Sequence, residues 1–541
     1  MTLTDYDLRQ ITAETLQALN HAQVIALSIT ILADLKESRE RLNQNSSNSS
    51  RPPSSEVPWG SRQPGSDDVP EIGGVDGSHS TDTELSEPED KADGTESNEL
   101  RTDDQNNSFS ETSKDEPAPK GRPGKPKGAP GFGRVQKLPV DQVLPFYPNH
   151  CAQCKQPFVM GKTLFSAYTG SYVIDIIAPD SGHAGLVLHQ TKNLYYEATC
   201  DCGHTTRYQP YSSGTDENWN VAVNERHLVG PLLVALICCL SLRMRLSRPR
   251  VREFLLDWLH LELSTGVINQ CVHEAGRAVE PVEEEIISVV QQSGLLHADE
   301  TSWKESGQPL WLWVLLCSTA TLYITGRRTR RTIQKIIFSG DFKGWLMSDG
   351  YHVYRDYDRR LRCLTHLERK GQGLKESLEP HAVIFGATVV QFLKRVTDIV
   401  YQARDGADPP QIKVLFLQHM DELEAFWAQC DRYGDSEHKK TRELAREFMY
   451  DWDAIWAVLD DPLMPLTNND AERALRHWVI YRKISYGTRN PQGSRVFCLL
   501  SSVIDTCRQR HASPWKFIAE VVKKSRLNQV IPSLPEVPVS A

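Results

Sequence analysis

Three acids stand far apart in the chain: Asp299 in "HADET", Asp349 in "SDGY" and Glu472 in "PLTNNDAERALRHW". Carboxylate oxygens are the ligands Mg²⁺ prefers, and two such ions clamp the attacking and leaving oxygens of a phosphoryl transfer. A second set is soft. Cys151 and Cys154 form "CAQC", and Cys200 and Cys202 lie in "CDCGH". Zn²⁺ takes four such ligands in a tetrahedron. The first pair forms one knuckle and the second a tighter one, with Gly203 easing its turn. His204 and His150 are substitute ligands within reach of the sequence. Cys363 and His366 in "CLTH" have ligand-like spacing but no partner pair, so a strand end is expected there.

Whether the acids meet depends on the elements that carry them. The stretch from Gly294 to Ile337 reads as strand, hairpin partner, third strand and helix. "GWLMSDGYHVYRDY" reads as a fourth strand ending at Asp349, with Gly350 permitting a sharp turn, and "LRCLTHLERK" as a fifth. Such an order makes an α/β layer of the ribonuclease H-like type, in which acids on the first and fourth strands are neighbours. Glu472 opens a helix, and two starts are open. With Asn469 as cap, Glu472 is the third residue of a capping box, a structural role. With Thr467 as cap, Asp470 takes that place and Glu472 is free to face the strands. Asp470 and Glu472, two apart on a helix, cannot face the same way.

The rest of the chain divides by composition. Thr12 to Leu42 is helical, with Ile25/Leu32 and Leu35/Leu42 at heptad spacing. A coiled coil and a helix packed on its own protein both fit. Residues 44–134 are rich in Ser, Asn, Pro, Gly and acid, too polar to offset the entropy of ordering. Their end, "PKGRPGKPKGAPGFGR", is basic; a Gly-Arg-Pro element suits an A·T minor groove, and a solvated linker fits equally. A zinc-binding module is expected over 135–225 and a helical region over 226–290. The core's first part should span 291–372, a helical insertion 373–460, and the core's end with a basic tail 461–541. Within 226–290, Val251, Leu255 and Trp258 mark one helix, and Ser264 caps a second. That is a helix-turn-helix shape with Arg248, Arg250 and Arg252 at its approach, so DNA contact and pure packing are both open.

At 541 residues several domains are expected. The net charge of -9 is uneven: Asp67 to Pro117 holds 17 Asp/Glu against 3 Lys/Arg, which leaves the rest of the chain at about +5. The opening residues do not read as a signal peptide, and the longest apolar run, Leu228 to Leu242, is too short to cross a bilayer. A cytoplasmic protein with reduced thiols follows, where paired cysteines hold metal more often than they form disulfides.

Taken in order, "HADET", "SDGY", "NNDAERALR", "RKISYGTRN", the "NSSNSSRPPSS" and "GKPKGAPGFGR" stretches and the two cysteine pairs resemble the transposases of the insertion-sequence-66 family. "CLTHLERKG" lacks the Trp and the Phe of that family's Cys-Trp-Ala-His-x-x-Arg-x-Phe run. The resemblance implies an Asp-Asp-Glu DNA transposase. Asp299, Asp349 and Glu472 would hold Mg²⁺ or Mn²⁺, and a zinc module, a helix-turn-helix and a helical insertion would accompany them. Arg473, Arg476, Arg482 and Lys483 would hold phosphates, which give affinity without sequence information. The implied partners are transposon-end and target DNA, further copies of the chain and accessory proteins of the same element, in a bacterial cytoplasm at the nucleoid. Two rivals are a DNA-binding repressor or assembly factor with an inactive acid site, and a metal-dependent nuclease without strand transfer.

Overall fold

The computed structural model of the chain describes residues 19–44, 140–177, 185–208, 228–406 and 414–538, with residues 11, 15, 16 and 48 besides. The acidic run and basic stretch expected as a linker lie outside these residues. So do residues 135–139, 178–184 and 209–225 of the expected zinc module. Asn48, placed in the linker, is buried, and its Nδ2 donates to Asn43 O and to Glu376 Oε2 at 2.6 Å.

Helix α1 (His21–Leu42) begins at a capping box: Asn20 Oδ1 accepts the Gln23 N–H at 2.9 Å and Gln23 Oε1 accepts the Asn20 N–H at 3.0 Å. Ile25, Ile29, Leu32 and Leu35 are exposed. Its last turns attach through charge, with Lys36 Nζ 2.6 Å from Glu379 Oε1 and Glu40 Oε2 3.0 Å from Lys440 Nζ.

The cysteine knuckles flank a small sheet. Strands β1 (Gln142–Phe146), β2 (Phe165–Ile176), β3 (Leu188–Thr199) and β4 (Thr205–Arg207) assemble with β3 central. β2 and β3 are antiparallel with a bulge near Ala167, and β1 runs parallel to β3. Tyr147 packs on Phe165 and Tyr196, and Phe146 on Tyr195, beside the buried Ile174, Ile176 and Ala198.

Four helices follow: α2 (Pro231–Cys238, extended by a π-helical turn to Arg243), α3 (Arg248–Leu259), α4 (Thr265–Ala278) and α5 (Glu280–Gln291). Ser264 caps α4 as its sequence foretold, its Oγ accepting the Val267 N–H at 3.2 Å. Between α3 and α4 the chain turns at His260, a left-handed residue. Ile268, Cys271, Val272 and Ala275 of α4 are buried, while Thr265, Asn269, Gln270 and Arg277 are exposed.

The central layer is a five-stranded sheet of β5 (Leu295–Glu305), β6 (Gln308–Leu316), β7 (Thr321–Gly326), β8 (Trp345–Ser348) and β9 (Arg360–Arg362), in the order β7-β6-β5-β8-β9. The first three are antiparallel, while β8 and β9 join parallel to β5. Helix α6 (Arg330–Ile337) makes the crossover from β7 to β8. The edge of β7 is covered rather than bare. Its Thr321 and Tyr323 N–H groups donate to Thr506 Oγ1 and Ser502 Oγ at 3.0 and 2.9 Å. The expected fifth strand is much shorter than "LRCLTHLERK". It ends at Arg362, and α7 (Leu364–Lys375) starts two residues later with Cys363 at its cap position. The periodicity Leu364, Leu367, Leu374 is helical and buries one face, which outweighs the strand reading of the short apolar run.

The insertion therefore begins nine residues earlier than the sequence suggested. It comprises α7, α8 (Pro380–Gly406), α9 (Leu415–Gln418), α10 (Met420–Tyr433), α11 (Lys439–Tyr450) and α12 (Trp452–Asp460), with a core that includes Leu367, Phe385, Phe426, Phe448 and Trp456. The chain then returns to the sheet with α13 (Asn469–Ser485), α14 (Pro491–Gln509) and α15 (Pro514–Arg526).

Insertion and sheet are bolted together by buried charge. Arg362 is fully buried, its Nε 3.1 Å from Asp451 Oδ2, and its Nη2 hydrogen-bonds Glu447 Oε1 at 2.5 Å. Arg360 Nη2 reaches Asp451 Oδ1 at 3.1 Å. Without Asp451, Arg360 loses the carboxylate it meets and the buried Arg362 keeps only Glu447. Asp451→Ala is expected to destabilise the fold by about 3–5 kcal/mol, read as a lower urea midpoint; an unchanged midpoint would show that the cluster contributes nothing.

Candidate functional site

The sheet register puts two of the acids at one level. β5 and β8 pair in parallel through His297 opposite Met347, so Asp299 and Asp349 each stand two residues beyond the same rung. Asp299 is half-buried, with Oδ1 accepting the Glu300 N–H at 2.8 Å. Asp349 Oδ1 accepts the Tyr351 N–H at 2.9 Å. Neither Oδ2 has a hydrogen-bond partner among the described residues. Gly350 follows at once, but its φ is not positive, so the expected conformational reason does not hold. Space is the reason: a Cβ there would lie 2.6 Å from Glu447 Oε1 and 2.7 Å from Arg362 Nη2.

The third acid arrives on α13. Neither expected cap is the cap. Asn468 occupies that position and makes no side-chain cap bond, which leaves Glu472 fourth in the helix with its N–H on Asn468 O at 3.2 Å. No capping box forms because the Asn468 side chain is used across the layer. Its Nδ2 donates to Ala298 O at 2.8 Å and its Oδ1 meets His297 Nδ1 at 3.1 Å. Its backbone N–H donates to Cys363 Sγ at 3.3 Å. The start of α13 is thereby tied to β5 one residue from Asp299. Asp470 faces elsewhere, paired with Arg473 and 3.9 Å from His297 Nε2. It lines a cleft of about 850 Å³ with Arg473, His477, Asp505 and Arg508.

Glu472 and Asp349 both bear on His366. Its Nε2 is 3.6 Å from Glu472 Oε1, and its buried Nδ1 has no hydrogen-bond partner. Desolvation lowers its pKa against the pull of Asp349 and Glu472. The "CLTH" segment, expected as a strand end, is the first turn of α7 and belongs to the site. Asp299 registers the whole group: its pKa is pushed well up, by desolvation first and then by the charges of Asp349, Glu300 and Glu472. Crowded acids with uncommitted oxygens are a donor set that fits a hard divalent cation.

Glu300, next to Asp299, was missed in the sequence although it stands in the quoted "HADET". Its buried carboxylate accepts Arg328 Nε and Nη2 at 3.1 and 3.0 Å and Tyr354 OH at 2.8 Å. Burial first, then Asp349, raises its pKa to about 7. Only the alternation of a strand could have flagged it, since neighbours point to opposite faces.

The soft site is compact. Cys151 Sγ is 3.7 Å from Cys202 Sγ, Cys154 Sγ is 3.4 Å from Cys200 Sγ, and all four sulfurs lie within 4.8 Å of one another. None is in a disulfide. A Zn–S bond of ~2.3 Å puts tetrahedral sulfurs about 3.8 Å apart, so the spacing suits the ion. Backbone N–H groups of Cys154, with that of Gln153, lower the Cys151 pKa to about 6, toward the thiolate a metal needs. Gly203 has φ +85°, as its turn requires. Neither His150 nor His204 belongs to the group of four. Among the described residues this is the metal-type cluster of that closeness; Asp299, Asp349 and Glu472 are not all so near one another.

The arginines and the lysine singled out by sequence separate into three kinds. Arg250, Arg476 and Lys483 are exposed. Arg248 meets Asn269 at 3.4 Å, Arg252 meets Glu262 at 3.3 Å and Arg473 meets Asp470. Arg482 turns inward, its Nη1 donating to Thr301 Oγ1 at 3.0 Å and Ser302 Oγ at 2.7 Å, and so clamps α13 to β5. Beyond α13 the "YGT" turn latches the same strand, with the Thr488 N–H on Lys304 O at 2.9 Å. Gly487 there has φ +87° and Lys304 O at 2.1 Å from where a Cβ would stand, so glycine is required.

This arrangement has relatives. The model of the family described as "Transposase IS66 family" matches residues 226–496, half of the chain. The chain belongs to this transposase family. The match takes in the central sheet, the insertion and α13 with all three acids. A family of unknown function, DUF6444, matches residues 4–68. Two curated relatives from Sinorhizobium fredii are called uncharacterized proteins y4jD and y4qI. The first is 24% identical over 44% of this chain and 47% of its own, the second 21% identical over 49% and 54%. The chain thus spans about half the length of the curated relatives it matches. No helix among the described residues is long and apolar enough to cross a membrane.

Proposed function

We propose that this member of the IS66 transposase family is an Asp-Asp-Glu DNA transposase with a ribonuclease H-like core. The observation that carries the reading is the common level of Asp299 and Asp349 on adjacent parallel strands, with Glu472 close enough to raise the Asp299 pKa. Asp299, Asp349 and Glu472 hold Mg²⁺ or Mn²⁺. Bound divalent ions supply charge stabilisation at the attacking and leaving oxygens. The chain's own part is to fix the acids: the Glu300 and Tyr351 N–H groups orient Asp299 and Asp349, and Asn468 fixes the start of the Glu472 helix. The site cuts at a transposon end, exposes a 3′ hydroxyl and joins it to target DNA.

Arg473, Arg476 and Lys483 on α13, and Arg248, Arg250 and Arg252 at the helix-turn-helix, hold phosphates, while Arg482 positions α13. Cys151, Cys154, Cys200 and Cys202 hold one structural Zn²⁺ in a module over 135–225, ahead of the helix-turn-helix region of 226–290. The partners are end and target DNA, further copies of the chain and accessory proteins of the element, in the cytoplasm at the nucleoid. The test is an in vitro assay with the element's own ends and Mg²⁺ or Mn²⁺. Cut and joined products are expected. Cutting without joining would make the protein a nuclease, and end binding without either would make it a repressor or assembly factor.

A further inference from the structure

The loop from β7 into α6 carries "GRRTRR", a basic cluster that the assignments above do not use. Arg327, Arg330 and Arg331 are exposed there. Arg330 is paired with Asp356 and lies over the Phe338 ring. Arg328 is different in kind. Its guanidinium sits 4.2 Å from the Trp311 ring and 4.1 Å from the Tyr351 ring, with an aromatic contact from each. Nε and Nη2 both rest on Glu300 Oε1. Tyr351 OH donates to Arg328 O at 2.6 Å, which fixes the backbone as well. The side chain remains 36% exposed, and Nη1 meets no acceptor among the described residues.

A guanidinium held by rings and a carboxylate has lost its freedom before any ligand arrives, so a ligand on its open edge costs little further ordering. Its neighbours are those of the acids. Tyr351 both contacts Arg328 and holds Asp349 Oδ1, and the Asp349 charge acts on Glu300. Resting on the transposase reading, we propose that Arg328 is a preset phosphate fork: its Nη1 edge binds a backbone phosphate of the DNA strand entering the acid site, with Arg327 and Arg331 adding positive charge around it. Trp311 and Tyr351 keep the fork aimed, and Glu300 holds it in place.

The test reads binding without metal, so it is independent of cutting. A short random-sequence duplex is titrated with the full chain in chelator over a range of salt. Arg328→Gln alone would strand the buried Glu300, so the informative protein is the neutral pair Glu300→Gln/Arg328→Gln, compared with Glu300→Gln and the wild type. Each phosphate contact contributes about -0.9 to the slope of log K against log salt. The double variant is expected to bind more weakly and with a slope shallower by about 0.9, while Glu300→Gln keeps the wild-type slope. A folded double variant with wild-type affinity and slope would make Arg328 only the counterion of Glu300 and overturn the proposal. A wild type that binds no duplex at all would instead take down the transposase reading on which it rests.

Discussion

Glu472→Gln is expected to yield a folded protein that has lost cutting and joining by roughly a hundred- to a thousandfold or more. The amide keeps the size of the carboxylate and removes the charge a divalent cation needs. The helix start gives no reason for instability: Asn468 makes no side-chain cap bond, and Glu472 contributes to the helix through its backbone N–H, which Gln retains. Asp299→Asn and Asp349→Asn should match this loss. Asp470→Asn is the control on the same helix, two residues away, paired with Arg473 and directed at another cleft. It should keep most of the activity. A Glu472→Gln protein that cuts and joins at the wild-type rate would remove Glu472 from the metal site.

The strands that carry Asp299 and Asp349 were legible because their local signals are strong. Alternating apolar residues and the β5–β6 turn at Ser306 and Gly307 announce the hairpin, and the parallel return of β8 follows from the helix that precedes it. The order of strands then decides which acids meet. Less legible was everything that depends on pairs distant in sequence. The sequence offered Asn469 and Thr467 as caps, but Asn468 takes that position, and the approach of β5 turns its amide toward Ala298 and His297. His366 has ligand-like spacing from Cys363 but reads as a strand end. The helical burial of Leu364, Leu367 and Leu374 carries it to Glu472. Gly350 reads as a turn glycine, but the buried ion pair of Arg362 and Glu447 is what excludes a side chain there. Buried ion pairs leave little trace in a single sequence, since each charge alone resembles a surface residue.

Loss of zinc should have the larger structural effect. The four thiols come from two knuckles, one between β1 and β2 and one between β3 and β4, so an ion bound there would close the sheet at that end. Of Tyr147, Phe165, Tyr195 and Tyr196, Tyr195 alone is buried, and small modules of this kind depend on their metal. Structural zinc contributes on the order of 10 kcal/mol in modules that fold around it. The purified chain should therefore contain about one zinc. Cys154→Ser or Cys202→Ser should lose it and open the 140–208 segment to protease. The five-stranded sheet should keep its resistance, because its core is filled by Trp303, Trp313, Leu312 and Val314 without any contribution from the knuckles. A metal-free chain whose 140–208 segment resists protease as well as the wild type would mean that the aromatic cluster suffices and that the four thiols have another use.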